Sequence, residues 1–268
     1  MPKVKLNDAS LYYEVYGSGA PLLLIGGLGS DSASWLGVVK DFSTYFQTIV
    51  FDNRGCGRSS ASGKSTVTEM AKDAIALLDF LKIKKAHILG HSMGGYIAQE
   101  LAINYPNRVN KLILESTAPI SSKRNNALLK DIYSQLKKEG HSEAWFKRWV
   151  EWLFSPKFIA DSASVVIFVK NSLNYPYLQR AEGLKMQIEA IASFDARSKI
   201  GAIKAKTLIL EGKNDILITP KESKVLAKNI HKSIFRLLGG VAHCIHIENP
   251  KLFTGAVLGF LRQGGAFH

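Results

Sequence analysis

A serine at position 92, an aspartate at 215 and a histidine at 243 are the residues whose types and surroundings point to chemistry. Ser92 lies in "KAHILGHSMGGYIAQELA". There an apolar run ends at Leu89, Gly90 and His91 follow, and good helix formers begin at Tyr96, after Met93 and two glycines. Gly90, Ser92 and Gly94 make a GxSxG pattern between an expected strand and an expected helix, the context that gives the pattern meaning. A serine on so sharp a turn needs small neighbours, because side chains at 90, 94 and 95 would collide with the strand or the helix. The turn exposes the hydroxyl and aims the helix N-terminus at any anion that forms there. A serine hydroxyl is a weak nucleophile at neutral pH, so it requires a general base that is itself oriented by a carboxylate. Both types follow downstream. "KTLILEGKNDILITP" places Asp215 just after an apolar run and ahead of a Thr-Pro helix start, and "FRLLGGVAHCIHIENP" places His243 in the loop before "IENP".

The elements that must position these residues are legible as a pattern. "KVKL" and "LYYEVYG", joined by "NDAS", read as an antiparallel hairpin. "PLLLIG", "TIVFD", "KAHILG", "NKLILES" and "AKTLILEG" are short apolar runs, most of them followed by helical spacing. That alternation predicts a parallel sheet covered on both faces, an α/β class. "STVTEMAKDAIALLDFL" carries Ser/Thr caps and a stripe of Met70, Ala74, Leu77, Leu78 and Leu81. Between about 121 and 200 the alternation stops. "HSEAWFKRWVEWLF" and its surroundings read as amphipathic helices, with Trp145, Trp149, Trp152 and Leu153 on one apolar face. Alternation resumes after Lys204, so the helical block is an insertion into one sheet.

The five segments "LLLIGGLGSDSASW", "FDNRGCGRS", "GHSMGG", "EGKNDILITP" and "HCIHIENP" occur in the order found in the α/β-hydrolase family. The chain resembles that family over nearly its whole length, and in particular its serine esterases, carboxylesterases and enol-lactonases. The resemblance implies a mostly parallel eight-stranded sheet with helices on both faces, a core at 1–120 and 199–268, and a helical lid at 121–198. It makes Ser92 the nucleophile, Asp215 the acid and His243 the base. His246 is a rival base, set aside because the family places Glu five and Pro seven residues after its histidine. Asp195 in "ASFDARSKI" is a rival acid, but Asp215 holds the strand-end position. His91 is read as packing or hydrogen-bonding, Asp52 as a brace for the loop carrying Asn53 and Arg54, and His87 as a core or edge residue.

Attack by Ser92 creates an oxyanion that needs preorganised donors. One is the amide of Met93, the residue after the nucleophile; the other falls in "GGLGSDS", where Leu28 is the expected donor. Glycines there keep side chains clear of the carbonyl. Most relatives have His before the first loop glycine, where this chain has Gly26, so a common brace of this loop is missing.

Composition bounds the rest. A chain of 268 residues, 46% hydrophobic and 21% charged, suits one large domain or one domain with an insertion. The polar–apolar alternation at the N-terminus argues against a secretory signal, and no run of about 18 apolar residues is present to span a bilayer, so a cytoplasmic protein is expected. Net charge is +13 with a pI near 9.6, but the basic residues are spread along the chain with no nucleic-acid motif, so a solvated basic surface and no specific nucleic-acid partner are expected. Cys56 and Cys244 have neither CxxC nor metal-type spacing and read as reduced thiols. No metal or organic cofactor is expected, since no GxGxxG or P-loop pattern is present.

Serine rather than aspartate as nucleophile argues against dehalogenases and epoxide hydrolases of this fold. The expected reaction is acyl transfer to water from a small or medium carboxylic ester or lactone. Carbon–carbon bond hydrolases and aminopeptidases share the resemblance, and Lys123, Arg124, Lys147 or Arg148 in the lid are candidates for binding a substrate carboxylate. From another class, a catalytically quiet receptor on the same scaffold stays open, because a fold does not set a function.

Overall fold

Among the described residues nine segments are strands: β1 (Lys3–Lys5), β2 (Ala9–Tyr16), β3 (Ala20–Ile25), β4 (Phe46–Phe51), β5 (Ser60–Ala61), β6 (Ala86–His91), β7 (Val109–Glu115), β8 (Lys206–Gly212) and β9 (Ser233–Leu238). The structure, a computed structural model, describes residues 2–6, 8–62 and 65–263. Strands β4, β3, β6, β7, β8 and β9 lie parallel in that order, and β2 then β1 extend the sheet antiparallel beyond β4. The opening hairpin pairs Val4 with Leu11; Asn7 of its turn lies outside the described residues. β5 pairs with β2 outside the eight-strand order, a ninth strand where eight were expected. Two residues are too few to leave a periodic signal.

The helices are α1 (Leu36–Ser43), α2 (Val67–Phe80), α3 (Met93–Asn104), α4 (Lys123–Glu139), α5 (Glu143–Leu153), α6 (Pro156–Ala160), α7 (Ser162–Leu173), α8 (Ala181–Ser193), α9 (Pro220–Asn229), α10 (Ile245–Glu248) and α11 (Pro250–Leu261). Successive strand residues point to opposite faces of the sheet. Leu22 and Leu24 of β3 therefore join Phe42 of α1 and Phe253 of α11, while Leu23 and Ile25 join Leu78 of α2 and Ile97 of α3. Burial on both faces is why these strands read as continuous apolar runs. The α2 stripe packs as its spacing predicts, and the Thr66 hydroxyl caps the helix by accepting the Glu69 N–H at 3.1 Å.

Five helices, α4 to α8, intervene between β7 and β8. The two ends of this segment meet: Ile120 bridges Asp195, and the Ala196 N–H donates to the Pro119 carbonyl at 2.9 Å. The segment is therefore closed on itself at its base. The buried face of α5 is Trp145, Phe146 and Val150, with Trp149 and Leu153 packed beside them. Trp152 is only half-buried and lies outside this cluster, although its neighbours Leu153 and Phe154 join it. Among the described residues no helix is long and apolar enough to cross a membrane.

Candidate active site

Ser92 joins β6 to α3 with φ 52° and ψ −115°. A non-glycine residue there carries strain of about 1–3 kcal/mol. Its backbone is held against that strain: the Ser92 N–H donates to the Glu115 carbonyl at 2.9 Å, and its own carbonyl accepts from Gly95 N–H at 2.9 Å and Thr117 Oγ1 at 3.0 Å. The small neighbours are required by close approach. A Cβ at Gly94 would meet the Ile25 carbonyl, and one at Gly90 would meet the carbonyl of Gly94. The turn thus presents Ser92 at the end of β6 with its hydroxyl lining a cavity of about 520 Å³.

The loops carrying Asp215 and His243 are stitched together by main-chain bonds, Lys213 N–H to Leu238 O at 2.8 Å and Asn214 N–H to Val241 O at 3.1 Å. Asp215 Oδ1 accepts the amides of Leu217 and Ile218 at 2.8 and 2.9 Å, and its Oδ2 accepts His243 Nδ1–H at 2.8 Å. In the neutral imidazole, that bond makes Nε2 the nitrogen free to accept a proton. His243 lines the same cavity as Ser92, while Asp215 is buried behind it. His91 does not reach this role. Its Nε2–H donates to the His243 carbonyl at 3.1 Å, and burial pushes its imidazole well below the ordinary range, so it is a neutral brace.

Leu28 lines the cavity beside Ser92. Among the described residues its amide has no protein acceptor, and Met93 opens α3, where an N–H has no partner within the helix. Two side chains from elsewhere brace this loop. Asn53 Nδ2 donates to the Gly26 carbonyl at 3.0 Å, and Gly29 N–H donates to Gln187 Oε1, from α8, at 3.1 Å. Gln187 is fixed in turn by Gln179 at 2.8 Å and by its own donation to the Arg54 carbonyl at 3.0 Å. Asp52 braces as expected, accepting Ser32 N–H and Arg58 N–H at 2.9 and 2.8 Å.

Asp195 is exposed and pairs with Arg197, away from the cavity. His246 is more demanding, because it too has a carboxylate: its Nδ1–H donates to Glu115 Oε1 at 2.8 Å, a pairing the sequence reading missed. The ring of His246 packs against Trp35 at 4.5 Å and His91 at 4.7 Å between centroids, and the residue lines the same cavity as Ser92 and His243. His91, Glu115 and His246 bring possible metal-ligand atoms within 4.8 Å of one another, and each of the three is already engaged in the hydrogen bonds just given. His87 is buried within β6, and Cys56 and Cys244 are free and buried. The four basic candidates all stay off the cavity wall. Lys147 pairs with Glu143 at 2.6 Å on the outside of α5, and Arg124 Nη2 donates to the Leu217 carbonyl at 2.8 Å. Among the described residues no lysine or arginine lines the cavity; its walls are mostly aromatic and aliphatic, including Trp145, Phe146, Trp149 and Phe168, with polar groups such as Ser121, Asn125, His141 and Asn171 between them.

This sheet and this turn define a class. A family model for the alpha/beta hydrolase fold matches residues 20–250, and the chain belongs to that family of hydrolases. It is 30% identical over 265 residues to 3-oxoadipate enol-lactonase 2 of Acinetobacter baylyi, covering 96% of this chain and 95% of that one. It is 29% identical over 264 residues to RutD of Azorhizobium caulinodans, provisionally named a carbamate hydrolase, covering 97% and 98% of the two chains. The crystal structure of the enol-lactonase from Burkholderia xenovorans LB400 superposes with a TM-score of 0.89 at 26% identity, covering 98% of this chain and all of that one.

Proposed function

We propose that the protein is a serine hydrolase that cleaves a neutral, small or medium carboxylic ester or lactone through an acyl-enzyme on Ser92. The observation that carries this reading is Ser92, strained on its turn, facing one cavity with a histidine whose Nδ1–H is held by Asp215. His243 Nε2 takes the Ser92 proton as Oγ adds to the carbonyl carbon, and the same nitrogen returns that proton to the leaving alcohol. It then deprotonates the water that releases the acid. The Leu28 and Met93 amides receive the oxyanion. Helices α4 to α8 act as the lid, supplying the apolar wall that holds the acyl or alcohol group. Carbon–carbon cleavage and peptide cleavage gain no specific support from the cavity.

Neutrality of the substrate follows from the wall. A carboxylate carried into this cavity meets no cation and passes Asp31, whose carboxylate accepts the Tyr175 hydroxyl and whose pKa is raised by burial. Desolvating an uncompensated charge is costly. For matched p-nitrophenyl esters, kcat/KM is expected to be at least about 100-fold higher with a neutral butyryl than with an anionic hemisuccinyl group. Equal rates on the two would rule out the neutral-substrate reading.

The loop braces give a second expected result. Gln187→Ala removes the acceptor of the Gly29 amide next to Leu28, so kcat for a neutral ester is expected to fall about tenfold with little change in KM, as a misplaced oxyanion donor would produce. An unchanged kcat in the folded variant would detach this loop from the reaction.

A further inference from the structure

Glu211 lies on β8, four residues before Asp215, and the mechanism above does not use it. Its side chain is fully buried, and neither carboxyl oxygen has a hydrogen-bond partner of good geometry. Its register neighbour on β9 is Leu237, and it shares a face of β8 with Ile209, so the sheet brings it no charge. The Asp215 N–H donates to the Gly212 carbonyl at 3.1 Å, a turn that keeps Asp215 at the end of β8 beside Glu211, and the Asp215 carboxylate, the buried Ser223 hydroxyl of α9 and the Gly212 amide are the groups that act on it.

Two carboxylates in one dry site cannot both be ionised without a cation between them. Asp215 already accepts three N–H donors, from Leu217, Ile218 and His243, and is the better place for the negative charge. Burial, with Asp215 next to it, pushes the Glu211 carboxyl well above the usual carboxylate range. A neutral carboxyl has one O–H to donate, and the strongest acceptor within reach is Asp215.

We propose that Glu211 is a positioning residue for the acid–base pair, donating its carboxyl O–H to the Asp215 carboxylate and so fixing that group toward His243 and limiting its basicity. The proton stays on Glu211 throughout turnover. The inference rests on the reading of Asp215 and His243 as acid and base, and its test has one arm that does not.

Stability is measured by urea unfolding of the wild type and of Glu211→Gln between pH 5 and 8.5. A carboxyl whose folded pKa is raised gives its full contribution below the unfolded value of about 4.3 and loses it as pH rises toward the folded value. Glutamine does not titrate, so the stability of Glu211→Gln relative to wild type is expected to increase with pH. A difference that is flat across this range overturns the neutral acid.

In the second arm kcat/KM for a neutral p-nitrophenyl ester is followed against pH. Glu211→Leu removes the donor, makes Asp215 a stronger partner for protonated His243, and is expected to move the acid limb up by about one pH unit, with kcat/KM at pH 6 about tenfold lower. Glu211→Gln keeps an N–H donor and is expected to keep the wild-type limb; Glu211→Met replaces the leucine variant if that one does not fold. A limb that stays in place without the donor overturns the positioning role. Failure of the triad reading shows separately, as ester turnover that survives Ser92→Ala, and leaves the stability arm intact.

Discussion

Ser92→Ala is expected to lower ester turnover by about 10⁴- to 10⁶-fold while leaving the fold in place. The size follows from the role proposed: without Oγ no acyl-enzyme forms, and only binding and the oxyanion donors remain to accelerate attack by water. The retention of fold follows from the structure. Ser92 is not fully buried, and the bonds that hold its turn are made by its backbone amide and carbonyl, which alanine keeps. Alanine meets the same strain as serine at φ 52°, so unfolding free energy should change by less than about 1 kcal/mol. Ser92→Gly removes that strain and is expected to be slightly more stable and equally inactive. Both are read by hydrolysis of p-nitrophenyl esters of increasing chain length and by mass mapping after treatment with a serine-directed phosphonate. The wild type should carry one adduct on Ser92 and neither variant any. Full turnover in Ser92→Ala would place the nucleophile elsewhere. A folded wild type inert toward every chain length would favour a ligand receptor on this scaffold.

The strands were legible because a sheet covered on both faces writes its burial as unbroken apolar runs, as in "PLLLIG" and "NKLILES". Ser92 and Asp215 were candidates because each follows such a run, whereas His243 follows the half-buried edge strand β9 and was a candidate through the motif around it. What the sequence did not show depends on contacts between distant segments. Gln187 meets Gly29 across 158 positions and Glu115 meets His246 across 131. Nothing local distinguishes these residues from surface glutamine or from a strand-end glutamate. The bond from Asn53 to the Gly26 carbonyl was invisible for the same reason, although Asn53 sat in a segment already singled out. The basic residues of the insertion were misleading as candidates. Residue type gave a cation, but helix orientation put Lys147 beside Glu143 on the outer face and left the inner face to Trp145 and Phe146.

Two buried histidines with carboxylates at the same 2.8 Å make the choice of base a physical question. His246 is fixed at both its ring and its backbone, since Glu115 Oε1 also accepts its N–H at 3.1 Å, and Trp35 lies 4.5 Å from its ring centroid. His246 lines the same cavity as His243, but its ring and backbone bonds to Glu115 tie the segment after His243 to β7, and on the reading of His243 as base they make it structural. His243→Ala is expected to cost about 10⁴- to 10⁶-fold in kcat, with a stability loss smaller than that of His246→Ala because Asp215 keeps the Leu217 and Ile218 amides. His246→Ala is expected to cost about 3–5 kcal/mol of stability, because it leaves Glu115 buried without its partner, and less than about tenfold in kcat for the folded fraction. Removing both members, as in His246→Leu with Glu115→Gln, should recover part of that stability, since no charge is then stranded. Urea unfolding and ester kinetics on the same preparations separate the two effects. If His246→Ala abolished turnover at full stability while His243→Ala kept it, the base would be His246 and its acid Glu115.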